Sequence, residues 1–230
     1  MITGDAKYRD FARVWEYSDY WDLYARKTDL FAPRQDGQPA REYHAYSHVN
    51  TLGGAGAAYL VTGNPRYLDI LRNAYEYLQA GEVFVTGGYG PDERLLPHGK
   101  LVDSLYRTTA TFETQCGSWA AFKLSKYLMS FTGEARSGDW VERLLYNGVG
   151  ASLPMTPDGR VFYYASYQVN GAEKQNTGAN WRWSCCTGTR PQVIADYLDQ
   201  IYFKGKDVLY VNLFTPSKVK WSTHGRLVEI

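Results

Sequence analysis

Three cysteines and one glutamate carry the most suggestive chemistry in this 230-residue chain. Glu113 and Cys116 stand in Phe112-Glu113-Thr114-Gln115-Cys116, at the start of a run that continues through Trp119, Ala120, Leu124, Tyr127 and Leu128 at helical spacing. Residues three apart share a helix face, so both side chains can point at one ion. Cys185 and Cys186 stand in Trp183-Ser184-Cys185-Cys186-Thr187-Gly188-Thr189-Arg190-Pro191. This reads as a loop ahead of a predicted helix over Pro191 to Tyr202, where the helix dipole favours thiolate. Together Glu113, Cys116, Cys185 and Cys186 offer three sulfurs and one oxygen, a set that tetrahedral Zn2+ accepts. The competing reading is three buried, inert thiols, a common fate of free cysteine. Three cysteines cannot all pair and adjacent ones bridge only with strain, so a disulfide framework does not fit.

A second cluster of candidates lies upstream. Thr86-Gly87-Gly88-Tyr89-Gly90-Pro91-Asp92-Glu93-Arg94 predicts a tight loop with Asp92 and Glu93 at its tip. No Gly-Lys-Ser/Thr follows and the glycine spacing matches no dinucleotide fingerprint, so a nucleotide loop is excluded. His44 and His48 are four apart and can share a helix face, without the Glu of the zinc-protease motif. They read either as ligand-contacting groups or as hydrogen-bonded structural histidines.

The elements that must position these groups follow from a repeat. Thr3-Gly4-Asp5, Thr62-Gly63-Asn64 and Thr132-Gly133-Glu134 share one pattern, and the second and third follow apolar stretches. Gly past an apolar helix is a left-handed stop, Asp5 or Asn64 can cap the next helix, and Pro65 suits its first turn. Tyr67, Leu68, Leu71, Ala74, Tyr75 and Leu78 then recur at helical spacing. Stacked helical hairpins, as in a helical repeat or α/α toroid, are the architecture this predicts. The first copy has no helix before it, so Met1 is a chance start or the chain is a fragment. Beyond about residue 150 the pattern changes. Arg160-Val161-Phe162-Tyr163-Tyr164, Val208 to Phe214 and Arg226 to Ile230 read as strands, the last with no partner. The expected organisation is therefore mainly α: a partial toroid of helical hairpins over residues 1–204, then the first strands of a cut-off β-rich domain over 205–230.

Composition narrows the function classes. Lys plus Arg is 25 against 24 Asp plus Glu, a net charge of +1 without the basic excess of nucleic-acid or membrane-surface proteins. No apolar run approaches the roughly 18 residues of a membrane span. The N-terminus shows no signal-peptide pattern, which with free cysteines leans toward a cytoplasmic setting. Aromatic residues are 16% of the chain, which suits either stacking on sugar rings or a tyrosine-rich core.

The Gly-Gly-x-Gly loop with Glu93, the Glu113/Cys116 helix start and the Cys185-Cys186 pair, in that order, resemble glycoside hydrolase family 127, the β-L-arabinofuranosidase-like group. The resemblance covers nearly the whole chain. It implies an (α/α)6 barrel followed by β-sandwich domains, a carbohydrate substrate and a Zn2+ cofactor. It implies Glu113, Cys116, Cys185 and Cys186 as zinc ligands, Cys185 as nucleophile and Glu93 as general acid/base. His44, His48, Tyr89 and Trp183 are the expected sugar contacts, with Trp181 and Tyr164 as further pocket walls. Two departures stand out: two residues separate Glu113 from Cys116 where family members have one, and His48 precedes the expected sugar-contacting position, near which Gly53 falls. Two other classes remain open at this stage: a sugar epimerase or isomerase using His44 and His48, and a non-catalytic, zinc-stabilised carbohydrate-binding domain.

Overall fold

The computed structural model of the chain describes residues 3–34, 36–39, 41–175 and 184–230. Helices α1 (Ala6–Arg13), α2 (Ser18–Ala25), α3 (Ala45–Thr62), α4 (Pro65–Gly81) and α5 (Leu101–Arg107) come first. Strand β1 (Phe112–Glu113) runs directly into α6 (Thr114–Thr132), and α7 (Arg136–Leu144) follows. Then come β2 (Tyr164–Ala165), β3 (Lys174–Gln175), α8 (Cys185–Leu198), β4 (Tyr202–Lys204), β5 (Leu209–Val211), β6 (Lys220–Thr223) and β7 (Arg226–Glu229). The fold is mainly helical, and α3 with α4 and α6 with α7 form the predicted hairpins. Among the described residues no helix is long and apolar enough to cross a membrane.

The sequence repeat is a repeated turn. Thr62 and Thr132 each donate a hydroxyl back to the preceding helical turn, to the Ala58 and Leu128 carbonyls at 2.7 and 2.8 Å. Gly63 and Gly133 follow at φ 65° and 69°, the left-handed conformation that ends each helix. The amides of Asn64 and Glu134 then return to those same threonine oxygens at 3.2 Å. Thr3-Gly4-Asp5 repeats the device, with Gly4 at φ 67° and the Asp5 amide on Thr3 Oγ1 at 3.3 Å. Asp5 and Asn64 cap α1 and α4 as the pattern predicts.

The core lies between the hairpins, where Leu52, Ile70, Leu71, Leu78, Leu124 and Trp140 are inaccessible to solvent. Tyr20, Tyr24, Tyr43 and Tyr89 are buried with them. Part of the aromatic content is therefore core.

Four sequence expectations change. The last long helix begins at Cys185, not Pro191, and ends at Leu198. Ser184 caps it by accepting from the Thr187 amide at 3.3 Å, and Pro191 sits inside it, giving up one backbone hydrogen bond. Of Arg160 to Tyr164 only Tyr164 is in a strand, because the amides of Phe162 and Tyr163 go to different segments, Ser152 and Gln175. Phe112–Glu113, read as a helix start, is a two-residue strand. Finally, the C-terminal strand is paired: β7 lies antiparallel to β6, joined at His224 and Gly225 with φ of 48° and 72°. Positive φ at both central residues is the hairpin turn whose twist matches its strands. Ahead of it, β4 pairs with β5 antiparallel, Tyr202 opposite Val211.

One close approach locks the Gly-rich loop to α3. Gly90 has φ 73°, and a Cβ on it would lie 2.2 Å from the Ala45 Cβ. Gly90→Ala combines left-handed strain with overpacking, each about 1–3 kcal/mol. Urea unfolding of this variant should show a midpoint well below wild type; an unchanged midpoint would mean that the loop does not rest on α3.

Candidate metal and catalytic centre

The short sheet β1–β2–β3 is the frame of the site. Glu113 pairs with Tyr164 and Phe112 with Ala165, which fixes the point where the chain turns into α6. Thr114 reinforces the corner, its amide donating to the Tyr163 carbonyl at 2.9 Å and its hydroxyl to that of Phe162 at 2.8 Å. Cys116 lies in the first turn of α6, and Cys185 and Cys186 are the first two residues of α8, which packs against α6.

The ligand atoms of Glu113, Cys116, Cys185 and Cys186 all lie within 4.8 Å of one another and can hold a metal ion. Glu113 Oε1 is 3.2 Å from the Cys185 sulfur and 4.0 Å from that of Cys186, which is 3.8 Å from the Cys116 sulfur. A tetrahedral ion with metal–sulfur bonds of about 2.3 Å needs sulfurs about 3.8 Å apart. Glu113 Oε2 is buried without a hydrogen-bond partner, an orphaned acceptor that a cation would satisfy. The three cysteines are free thiols; Cys116 and Cys186 are buried, whereas Cys185 is exposed.

Protonation in the cluster is uneven. Burial, then the charge of Cys185, pushes Glu113 up to about 8. Cys116 is raised by its hydrogen bond to Cys185, and Cys186 by burial. Cys185 is drawn far down by hydrogen bonds from Cys116 and then Cys186. Of the three thiols, the exposed Cys185 is the one whose ionised form these contacts favour. Thr189 braces the cluster: its hydroxyl donates to the Cys185 carbonyl at 2.7 Å and stands 3.1 Å from the Cys116 sulfur.

Glu93 lies in the turn Pro91–Glu93, beside this cluster. It and Asp92 have left-handed φ of 62° and 52°, a costly conformation for two consecutive non-glycine residues. Asp92 is pinned by the Thr108 hydroxyl on its Oδ1 at 2.5 Å and by its amide on the Ala110 carbonyl at 2.8 Å. The Glu93 carboxylate then meets two side chains, the Tyr164 hydroxyl at Oε1 and His44 Nε2 at Oε2, the latter at 3.1 Å. Tyr164 is the register partner of Glu113, so Glu93 and the thiol cluster flank the same strand.

The other sequence candidates fall elsewhere or do other work. His48 is one turn along α3, between the rings of Tyr17, Tyr20 and Tyr43, with Nδ1 on the His44 carbonyl at 2.9 Å. Tyr89 is buried against Phe112 and Trp140, and its hydroxyl donates to the Gly117 carbonyl at 3.0 Å. Trp183 and Trp181 lie outside the described residues. Two participants were not singled out by sequence. The Tyr163 hydroxyl stands 3.1 Å from Glu113 Oε1 and 3.3 Å from the Cys185 sulfur, and Thr189 holds Cys116. The Tyr163-Tyr164 doublet in a strand pattern was the available signal for the first; Thr189 gave none.

A sequence model of the β-L-arabinofuranosidase GH127 catalytic domain matches residues 1–199. Among solved structures, the chain resembles a GH127 β-L-arabinofuranosidase from Geobacillus stearothermophilus T6, with 18% identity and a TM-score of 0.67 over 99% of this chain and 40% of that one. It resembles the GH127 β-arabinofuranosidase BT3674 with 20% identity and a TM-score of 0.67, over 100% of this chain and 35% of that one. A third structure, a glycoside hydrolase, gives 17% identity and a TM-score of 0.56 over 95% of this chain and 41% of that one. At these identities the likeness is one of fold, the α/α toroid, and the chain spans well under half the length of each. No curated protein sequence matches it.

Metal uptake has a proton signature. Ligands must lose their protons to bind, and here Cys116, Cys186 and Glu113 are all raised above their ordinary values. Calorimetric titration with Zn2+ at pH 7, in buffers of different ionisation enthalpy, should report release of about two to three protons per ion, with affinity rising as pH climbs past 8. Binding without proton release would contradict the assigned charge distribution.

Proposed function

The chain belongs to the β-L-arabinofuranosidase GH127 catalytic-domain family, and from that membership we propose that it carries the reaction centre of a retaining glycosidase. Its substrate is a terminal β-L-arabinofuranose or a related sugar on plant-type glycans. The observation that carries this reading is the convergence of Glu113, Cys116, Cys185 and Cys186 within 4.8 Å, with Glu93 on the neighbouring turn. Zinc suits this set better than harder cations, because three of its four donors are sulfur. Bound there, it would keep the thiols deprotonated at neutral pH and disperse their charge.

Two groups then do the work of the two carboxylates of an ordinary retaining glycosidase. The Cys185 sulfur attacks the anomeric carbon, a C–S bond forms, and the glycosidic C–O bond breaks as Glu93 gives its proton to the leaving oxygen. Glu93, now a carboxylate, takes a proton from water; the water oxygen attacks the same carbon, and the C–S bond breaks to return the thiolate. Two inversions leave the configuration unchanged. The exposure of Cys185, beside buried Cys116 and Cys186, favours this over a purely structural site, which would be closed on all sides. An epimerase using His44 and His48 is less well supported, since His44 faces Glu93 while His48 faces a tyrosine cluster. The whole protein is expected to organise as a catalytic toroid through residue 204 and a β-sandwich region from residue 205.

Zinc-loaded Cys185→Ser should lose roughly 10^3-fold or more in kcat on an aryl β-L-arabinofuranoside. Wild-type turnover in that variant would rule out Cys185 as nucleophile. Glu93→Ala should slow alkyl glycosides far more than activated aryl ones, because only the former need a proton on departure. An equal loss on both would remove the acid role.

A further inference from the structure

His44 serves two neighbours with its two ring nitrogens. It is the N-cap of α3, at φ −63° and ψ 120°, and its Nδ1 accepts from the Ser47 amide at 3.4 Å. A ring nitrogen that accepts a backbone N–H carries a lone pair, so the ring proton sits on Nε2. Nε2 faces Glu93 Oε2 at 3.1 Å, so the Nε2–H donates to the carboxylate. The backbone holds the pair in register, with His44 bridged to Arg94 and the Leu95 amide on the Tyr43 carbonyl at 2.9 Å.

We infer that His44 is a positioning residue for Glu93: the cap on α3 fixes the imidazole tautomer, and the N–H left on Nε2 fixes the carboxylate. This rests on the reading of Glu93 as acid/base. Tyr164 holds the other carboxylate oxygen, so the side chain is clamped at both ends in a turn whose backbone is already strained. With neither oxygen free to swing, the remaining lone pairs keep one direction for the leaving oxygen and later for water. One imidazole thereby ties the start of α3 to the aim of the proton-transfer group.

Substitution separates the two nitrogens. Asn is a good helix N-cap but is too short to reach Glu93; Gln reaches farther with its amide N–H but caps poorly. Zinc-loaded His44→Asn should melt like wild type yet lose at least tenfold in kcat on alkyl glycosides, with KM little changed. His44→Gln should melt lower yet recover much of that kcat. Wild-type kcat in His44→Asn, alongside an impaired Glu93→Ala, would reduce His44 to a cap and overturn the inference. An unimpaired Glu93→Ala would instead overturn the acid/base reading on which it rests. Long-range 1H–15N NMR of the histidine rings gives a readout independent of turnover. The His44 resonances should show the Nε2–H tautomer, with the Nε2 signal shifting in Glu93→Gln; an Nδ1–H tautomer, or no response to that substitution, would refute the inference.

Discussion

Four groups that can each carry a negative charge sit within 4.8 Å of one another, and Glu113, Cys116 and Cys186 are almost wholly out of water. Two like charges about 4 Å apart, at an effective dielectric near 20, repel by about 4 kcal/mol. The site therefore needs either protons or a cation to exist at all. With a cation all four donors can be anionic at once, and of the three sulfurs that of Cys185 is the exposed one. The surrounding structure exists to hold that crowding: β1 and β2 fix Glu113, the first turn of α6 sets Cys116, and the start of α8 delivers the cysteine pair.

The same economy governs the Glu93 turn. Glu93 is held by backbone strain at two residues, by Asp92's ties to Thr108 and Ala110, and by Gly90 seated on Ala45. Strain of this kind survives only where surrounding contacts over-determine it. Here those contacts come from α3, β2 and the loop itself. Tyr163 and Tyr164, adjacent in sequence with rings 4.5 Å apart, connect the halves: one hydroxyl meets Glu113 and Cys185, the other meets Glu93.

Local signals were readable where the chemistry is local. The threonine–glycine stops at Gly63 and Gly133, the caps at Asp5 and Asn64 and the apolar face of α4 are each set by a few neighbouring residues, and the helical hairpins follow. The four-residue donor cluster was legible by residue type, though spacing alone could not distinguish it from inert thiols. Contacts closed from a distance were not legible. Phe112–Glu113 becomes a strand only because Tyr164–Ala165 lies beside it. The start of α8 is at Cys185, ahead of the boundary that Pro191 suggests, because Ser184 caps the helix there. The C-terminal strand looked unpartnered because the run before its turn, Lys220–Thr223, carries no strong alternation. High tyrosine content pointed equally to sugar stacking and to the core, and Tyr20, Tyr24, Tyr43 and Tyr89 are core.

X-ray absorption at the zinc edge of the reconstituted protein would show whether Glu113, Cys116, Cys185 and Cys186 bind one ion together. Their joint binding gives a coordination shell of three sulfurs at about 2.3 Å and one oxygen at about 2.0–2.2 Å. A shell of only nitrogen and oxygen, or one with fewer than three sulfurs, would contradict it.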